Sequence, residues 1–270
     1  MLAANFISWA KIINMKNRLI LTPFFLDQPR DELKSLAKPD WQINQPILPD
    51  GELQSRISTY HHSLADFVSN AILNQERPVS IAGDCLTAIP ILAGLQRCGI
   101  NPVLIWFDAH GDFNTWETTP SGFLGGMPLA MIVGKGEQKL PETVSLKSLP
   151  EKNVILTDAR DLDPDERDLI KHSKLTHLTQ VEALLGFHLP NAPIYVHFDT
   201  DVVTAEESPA QNYLAKDGPT SETLKAVFNR LAQSQKVVAV SLSSWNPDMD
   251  LDKKSERVSM SLLQALVGDI

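Results

Sequence analysis

Val103-Leu-Ile-Trp-Phe-Asp108-Ala-His110-Gly-Asp112 joins five apolar residues, mostly β-branched or aromatic, to alternating acids around a histidine. A short apolar run of this kind reads as a strand buried on both faces, as in a parallel sheet. Similar runs recur at Leu19–Leu21, Val79–Ala82, Val154–Leu156, Ile194–Phe198 and Val237–Leu242. Amphipathic helical patterns lie between them, at Glu52–Asn74, Ala88–Cys98 and Glu222–Gln233. This alternation predicts an α/β fold, a three-layer α/β/α sandwich with a mostly parallel sheet. Residues 27–50, rich in Pro, Asp and Lys, are predicted to wrap the surface, and the polar stretch Gly136–Pro150 to be a connection. Neither reads as a domain linker. Residues 15–270 are therefore expected to form a single domain, and residues 1–14 an N-terminal extension without assigned role.

The formal charge of −9 leaves no basic stripe for phosphates, so nucleic acid is excluded as an expected partner. No apolar run approaches the roughly 20 residues of a membrane span, so no membrane association is expected. The chain start lacks the basic region and small-residue cleavage site of a signal peptide. Two cysteines, Cys85 and Cys98, cannot staple a secreted scaffold, and a reducing cytoplasmic setting is expected.

Ligands of such folds bind beyond the carboxyl ends of the strands, so the residues after each apolar run decide the chemistry. Asp84 and Cys85 follow the run at 79–82. Asp108, His110 and Asp112 follow that at 103–107, and Asp199 and Asp201 that at 194–198. Alternating positions on an extended segment aim their side chains the same way. Carboxylates converging like this repel one another unless a cation neutralises them. Oxygen-rich donors with a single nitrogen favour hard or borderline divalent ions, Mn²⁺ before Zn²⁺, and bridging carboxylates allow a pair. Taken alone, each motif reads better as helix caps and turn residues, and finding both after apolar strands of one α/β chain reverses that preference.

In combination these segments resemble the arginase, or ureohydrolase, family. Asp108-Ala-His-Gly-Asp-Phe-Asn-Thr is similar to the family's DAHxDxNT, and Ser121-Gly-Phe-Leu-Gly-Gly126-Met-Pro to its SGNxHGxP loop. His197-Phe-Asp-Thr-Asp201 is similar to SFDxD, Arg160-Asp-Leu-Asp-Pro-Asp-Glu166 to RDxDPxE, and Asn246-Pro247 to the end of ExNP. The resemblance spans about residues 78–250 and implies the arginase-like fold over the domain. It implies metal ligation by Cys85, Asp108, His110, Asp112, Asp199 and Asp201, with Asp108 and Asp199 bridging two Mn²⁺ ions. It further implies that Asn114 and Ser121 hold a substrate α-carboxylate, and that Asp163 and Glu166 surround an α-ammonium. Asp112 is the expected catalytic proton carrier. Homo-oligomers are common in the family and are expected here.

Four positions depart from the family pattern. Cys85 stands where the family has a histidine ligand, Phe123 where it has a carboxylate-binding Asn, Gly125 where it has a proton-transferring His, and Ser244 where it has a guanidinium-binding Glu. Cys85 reads either as a thiolate ligand, drawing selectivity towards Zn²⁺ or another softer ion, or as a small buried thiol. Glu117, Glu206 and Glu207 are candidate replacement acids and also ordinary solvated loop residues. His197, on the same strand face as Asp199, reads as a base or as a core histidine. His61 and His62 are expected at the surface, and Trp116 and Trp245 either wall the pocket or simply pack.

The resulting expectation is a manganese-dependent hydrolase of a guanidino C–N bond. Its substrate would be arginine, or a small-molecule or peptidyl arginine derivative, giving urea and an ornithine-type amine. Two alternatives stand beside it: a deacetylase-like amidohydrolase with one Zn²⁺ on Asp108, His110 and Asp199, and a catalytically degenerate homologue with a binding role.

Overall fold

The computed structural model describes residues 15–270, so the extension expected at 1–14 lies outside the described residues. Eight strands form one sheet: β1 (Lys16–Thr22), β2 (Gln42–Ile43), β3 (Glu76–Ala82), β4 (Val103–Asp108), β5 (Val154–Asp158), β6 (Thr176–Leu178), β7 (Ile194–Asp199) and β8 (Val237–Ser243). Their order is β2-β1-β3-β8-β7-β4-β5-β6, with every pairing parallel. The crossovers carry α1 (Leu53–Leu73), α2 (Ala88–Arg97), α3 (Pro128–Ile132), α4 (Lys139–Thr143), α5 (Pro164–His172), α6 (Ala183–Gly186) and α7 (Ser221–Gln233), and α8 (Lys254–Val267) follows the last strand. The expected three layers are present.

Both sheet faces are buried, which is why the strands read as continuous apolar runs. Alternate residues still go to opposite sides. Leu104, Trp106, Leu156 and Tyr195 pack with the buried stripes of α1, α2 and α3. Ile105, Phe107, Val196 and Phe198 pack with α7 and α8. On that second side Phe107 meets Phe228 edge to face, with ring centroids 4.9 Å apart. On the first side α1 and α2 approach closely at Gly94, where a Cβ would lie 2.6 Å from the Val68 Cβ.

Every strand expected from the sequence forms, but the edge strands β2 and β6 carry too little apolar signal to be anticipated. They are held by pairing to β1 and β5. The connection expected at Gly136–Pro150 contains α4, whose Leu140 and Pro141 are buried. His61 corrects the surface expectation. It shares the buried stripe of α1 with Ile57, Tyr60, Leu64 and Val68, and burial holds its pKa down to about 3, so it is neutral in the core. His62, one position on, is exposed. Among the described residues no helix is long and apolar enough to cross a membrane.

The strands β3, β8, β7 and β4 lie side by side at the sheet centre. Their carboxyl ends deliver Cys85, Ser243 with Ser244, Asp199 and Asp108 to one place.

Candidate metal centre

Asp108 ends β4, and its Oδ1 accepts a hydrogen bond from the His110 backbone N–H at 2.7 Å. Asp199 ends β7 and likewise accepts from the Asp201 backbone N–H at 2.9 Å. Each bond turns the chain so that the next residue but one points back over the strand ends. Asp201 Oδ1 then accepts from the Ala109 backbone N–H at 3.1 Å, tying the two loops together. Arg160 clamps the second loop from below, pairing with Asp158 and donating to the carbonyls of Asp201 (3.0 Å) and Val202 (3.1 Å). Asp112 has a positive φ of 49°, a conformation an aspartate tolerates better than most residues and one common at functional sites.

These residues floor a cavity of about 400 Å³. Apart from His110, every charged residue lining it is an acid: Asp84, Asp108, Asp112, Asp161, Asp163, Glu166, Asp199 and Asp201. Donor atoms of Asp108, His110 and Asp201 lie within 4.8 Å of one another, and so do those of Cys85, Asp108 and His197. Cys85 Sγ sits 2.8 Å from Asp199 Oδ2 and 3.1 Å from Ser243 Oγ. The structure thus brings together all six sequence-predicted ligands.

Burial, followed by repulsion from neighbouring acids, raises the pKa of Asp108, Asp112, Asp199 and Asp201. Asp199 is pushed up to about 8 by burial and Asp201, and Asp112 is raised well above the usual range by burial, Asp108 and Asp199. Burial opposes charge on His110, yet its contacts with Asp108 and Asp201 outweigh that and push it up to about 12. Asp112 Oδ2 is buried and has no hydrogen-bond partner among the described residues. A partnerless carboxylate oxygen is costly in a dry site and is expected where a cation completes it. The donor set therefore fits divalent metal ions.

The predicted substrate residues lie on the cavity wall above these groups. Asn114 Nδ2 donates to Asp163 Oδ2 at 3.0 Å, and Ser121 is exposed at the mouth. Glu166 is buried beneath. Its Oε1 accepts from the Phe113 N–H at 2.8 Å and its Oε2 from the Asp163 N–H at 3.3 Å, closing the N-terminus of α5. Gly111 makes room for it, since a Cβ there would meet Glu166 Oε1 at 2.6 Å.

The departures from the family pattern also have structural partners. Ser244 is left-handed (φ 70°) and donates to Asp199 Oδ2. A Cβ on Gly125 would lie 2.4 Å from the Phe123 ring, so the glycine leaves the space that this ring occupies. Phe123 stacks with Phe25 at 6.3 Å and tilts against Tyr213 at 5.1 Å, forming an aromatic rim. Phe25, three residues beyond β1, and Tyr213, in the long connection after β7, escaped sequence reading because it followed acids, histidines and thiols at the strand ends rather than aromatic side chains. Glu117 is exposed and bonded to Thr115, Glu206 is exposed, and Glu207 accepts from the Ser221 N–H. None of the three lines the cavity. Neither tryptophan lines it either. Trp116 bonds Glu137 at the surface, and Trp245 is buried on the α7–α8 side with its Nε1 on Asp250.

The Arginase family model matches residues 32–268. The arginase of Bacillus subtilis (strain 168) is 30% identical over 245 residues, covering 85% of this chain and 82% of that protein. An N(omega)-hydroxy-L-arginine amidinohydrolase of Streptomyces lavendulae is 27% identical over 229 residues, covering 84% of this chain and 78% of its own. Among solved structures, the arginase of Bacillus cereus superposes with a TM-score of 0.81 at 22% identity, over 94% of this chain and 99% of that one. Profile, identity and fold agree: the chain belongs to the arginase family, hydrolases of linear amidine C–N bonds.

Proposed function

We propose that the chain hydrolyses the guanidino C–N bond of arginine, or of a modified or peptidyl arginine, releasing urea and an ornithine-type amine. The observation that carries this reading is the acid-lined cavity, which suits a cationic substrate head over a cationic centre. Cys85, Asp108, His110, Asp112, Asp199 and Asp201 would hold divalent ions, with Mn²⁺ favoured by the oxygen donors and Zn²⁺ by the sulfur. When bound, such ions lower the pKa of water to supply a nucleophile at neutral pH and offset charge developing on the reacting carbon.

The side chains supply the rest. Asp112, with one carboxylate oxygen on an ion, would use the other to take a proton and return it to the departing amine. Asp163, Asn114 and Ser121 line the wall where the far end of the substrate would lie. Ser244, engaged with Asp199, brings no charge to the guanidinium. Phe123 offers an aromatic face where an amide would bind a carboxylate, which favours substrates whose α-carboxylate is blocked. The same reading includes a homo-oligomer in a reducing, cytoplasmic setting.

Urea release after Mn²⁺ reconstitution, compared for free arginine, a blocked arginine dipeptide and agmatine, tests it. Inertness towards all three, with turnover of acetyl-lysine, would overturn it.

A further inference from the structure

One departure from the family pattern, Cys85, meets in space a histidine that the substrate reading leaves unused, His197. Cys85 follows β3 and His197 lies within β7, yet their donor atoms and that of Asp108 fall within 4.8 Å of one another. All three residues are buried. The His197 ring is held rigidly, stacked on Trp106 with centroids 3.8 Å apart and with Nδ1 on Ser241 Oγ at 2.8 Å. Ser241 is in turn bonded to Tyr195. Its other nitrogen, Nε2, has only a 3.4 Å contact, to Ser243 Oγ, the hydroxyl that also touches Cys85 Sγ. A fixed imidazole with one nitrogen engaged and the other nearly free is how ligating histidines are oriented. Asp108 Oδ2 is positioned by Trp106 Nε1 at 3.0 Å. Asp112, whose Oδ2 is buried and partnerless, lines the cavity that Cys85 and Asp108 also line.

We propose that Cys85, Asp108 and His197 form a sulfur–oxygen–nitrogen site for a thiophilic divalent ion, Zn²⁺ or Co²⁺, beside the harder Asp108–His110–Asp201 site suited to Mn²⁺. The centre is then chemically unsymmetrical, with Asp108 common to both halves. Thiolate and imidazole draw the softer ion, and carboxylates with one imidazole the harder. Binding the softer ion displaces the thiol proton that now faces Asp199. The inference rests on the metal-centre reading but not on the identity of the substrate.

The test uses full-length protein equilibrated with equimolar Zn²⁺ and Mn²⁺, then with Co²⁺. Elemental analysis is expected to find one Zn²⁺ and one Mn²⁺ per chain, and Co²⁺ a near-ultraviolet sulfur-to-cobalt charge-transfer band. Cys85→Ser should abolish that band. His197→Asn should keep it while weakening Zn²⁺ more than about tenfold, the least that losing a supporting group costs such sites. Retained Mn²⁺ binding and far-ultraviolet circular dichroism certify that the variants fold. If His197→Asn does not fold, sulfur and imidazole scattering at the zinc edge of the unsubstituted protein decides the same question. Ions bound without sulfur ligation, or Zn²⁺ affinity indifferent to His197, overturn the inference and leave the metal centre standing. A protein that binds no ion overturns both.

Discussion

Removing the metal should make the protein lose stability as pH rises from 7 to 8. In that window an unfolded chain has already released its carboxylate and histidine protons. The folded, metal-free site holds a proton on His110 throughout and on Asp199 over most of the window, and burial with its acidic neighbours pushes Asp112 the same way. Asp199 is pushed up to about 8 and His110 to about 12, and Asp112 stands well above its usual range. The folded state therefore binds more protons than the unfolded one, and stability falls with increasing pH. The buried neutral His61 and His197, both held near 3, act in the opposite direction, but only below the unfolded histidine pKa near 6.5. With about two extra protons held, at about 1.4 kcal/mol per proton per pH unit, the loss is about 3 kcal/mol. For a chain of this size that lowers the melting temperature by roughly 6 °C or more. Saturating Mn²⁺ removes the effect, because the cation takes the place of the protons. Differential scanning calorimetry of chelator-stripped and Mn²⁺-loaded protein at pH 7.0, 7.5 and 8.0 measures both curves. A stripped protein whose melting temperature stays level or climbs would refute the convergence of these acids.

Asp112→Asn is expected to leave the metal-free fold intact, since a neutral amide replaces a carboxyl group that burial and its neighbours already push towards the neutral form, and to lower kcat on the best substrate by about 10²-fold or more. Steady-state kinetics alongside thermal melts separates the two effects. Gly111→Ala places a Cβ 2.6 Å from Glu166 Oε1 and 2.7 Å from Leu162, a clash expected to cost about 1–3 kcal/mol in urea unfolding. Gly83→Ala meets the Phe24 carbonyl oxygen at 2.2 Å, where backbone has to move, and should yield little soluble protein on expression. The double substitution Phe123→Asn, Gly125→His is expected to shift the ratio of kcat/KM values towards free arginine over a blocked dipeptide. An unchanged ratio would remove the aromatic rim from substrate selection.

The central strands were legible because a parallel sheet covered on both faces demands unbroken apolar runs, and Val103–Phe107 and Ile194–Phe198 supply them. The candidate ligand positions were legible because Asp-x-His-x-Asp and Asp-x-Asp directly follow those runs. Edge strands β2 and β6 were not, since their stability comes from a neighbour's backbone. His61 was misjudged from its polar sequence neighbours when the helical stripe it shares with Ile57, Tyr60 and Leu64 decides its burial.

By itself, the order of residues determined a parallel α/β sheet with acids at its carboxyl ends, because period and position along a strand are local properties. Only the tertiary structure decided that β3, β8, β7 and β4 are neighbours. That adjacency sets His197 beside Cys85, and the tertiary fold brings Phe25 and Tyr213 onto the Phe123 ring. Contacts between residues 112 or more positions apart, such as Cys85 with His197 and Cys85 with Ser243, depend on how the crossovers wind, which no local pattern encodes.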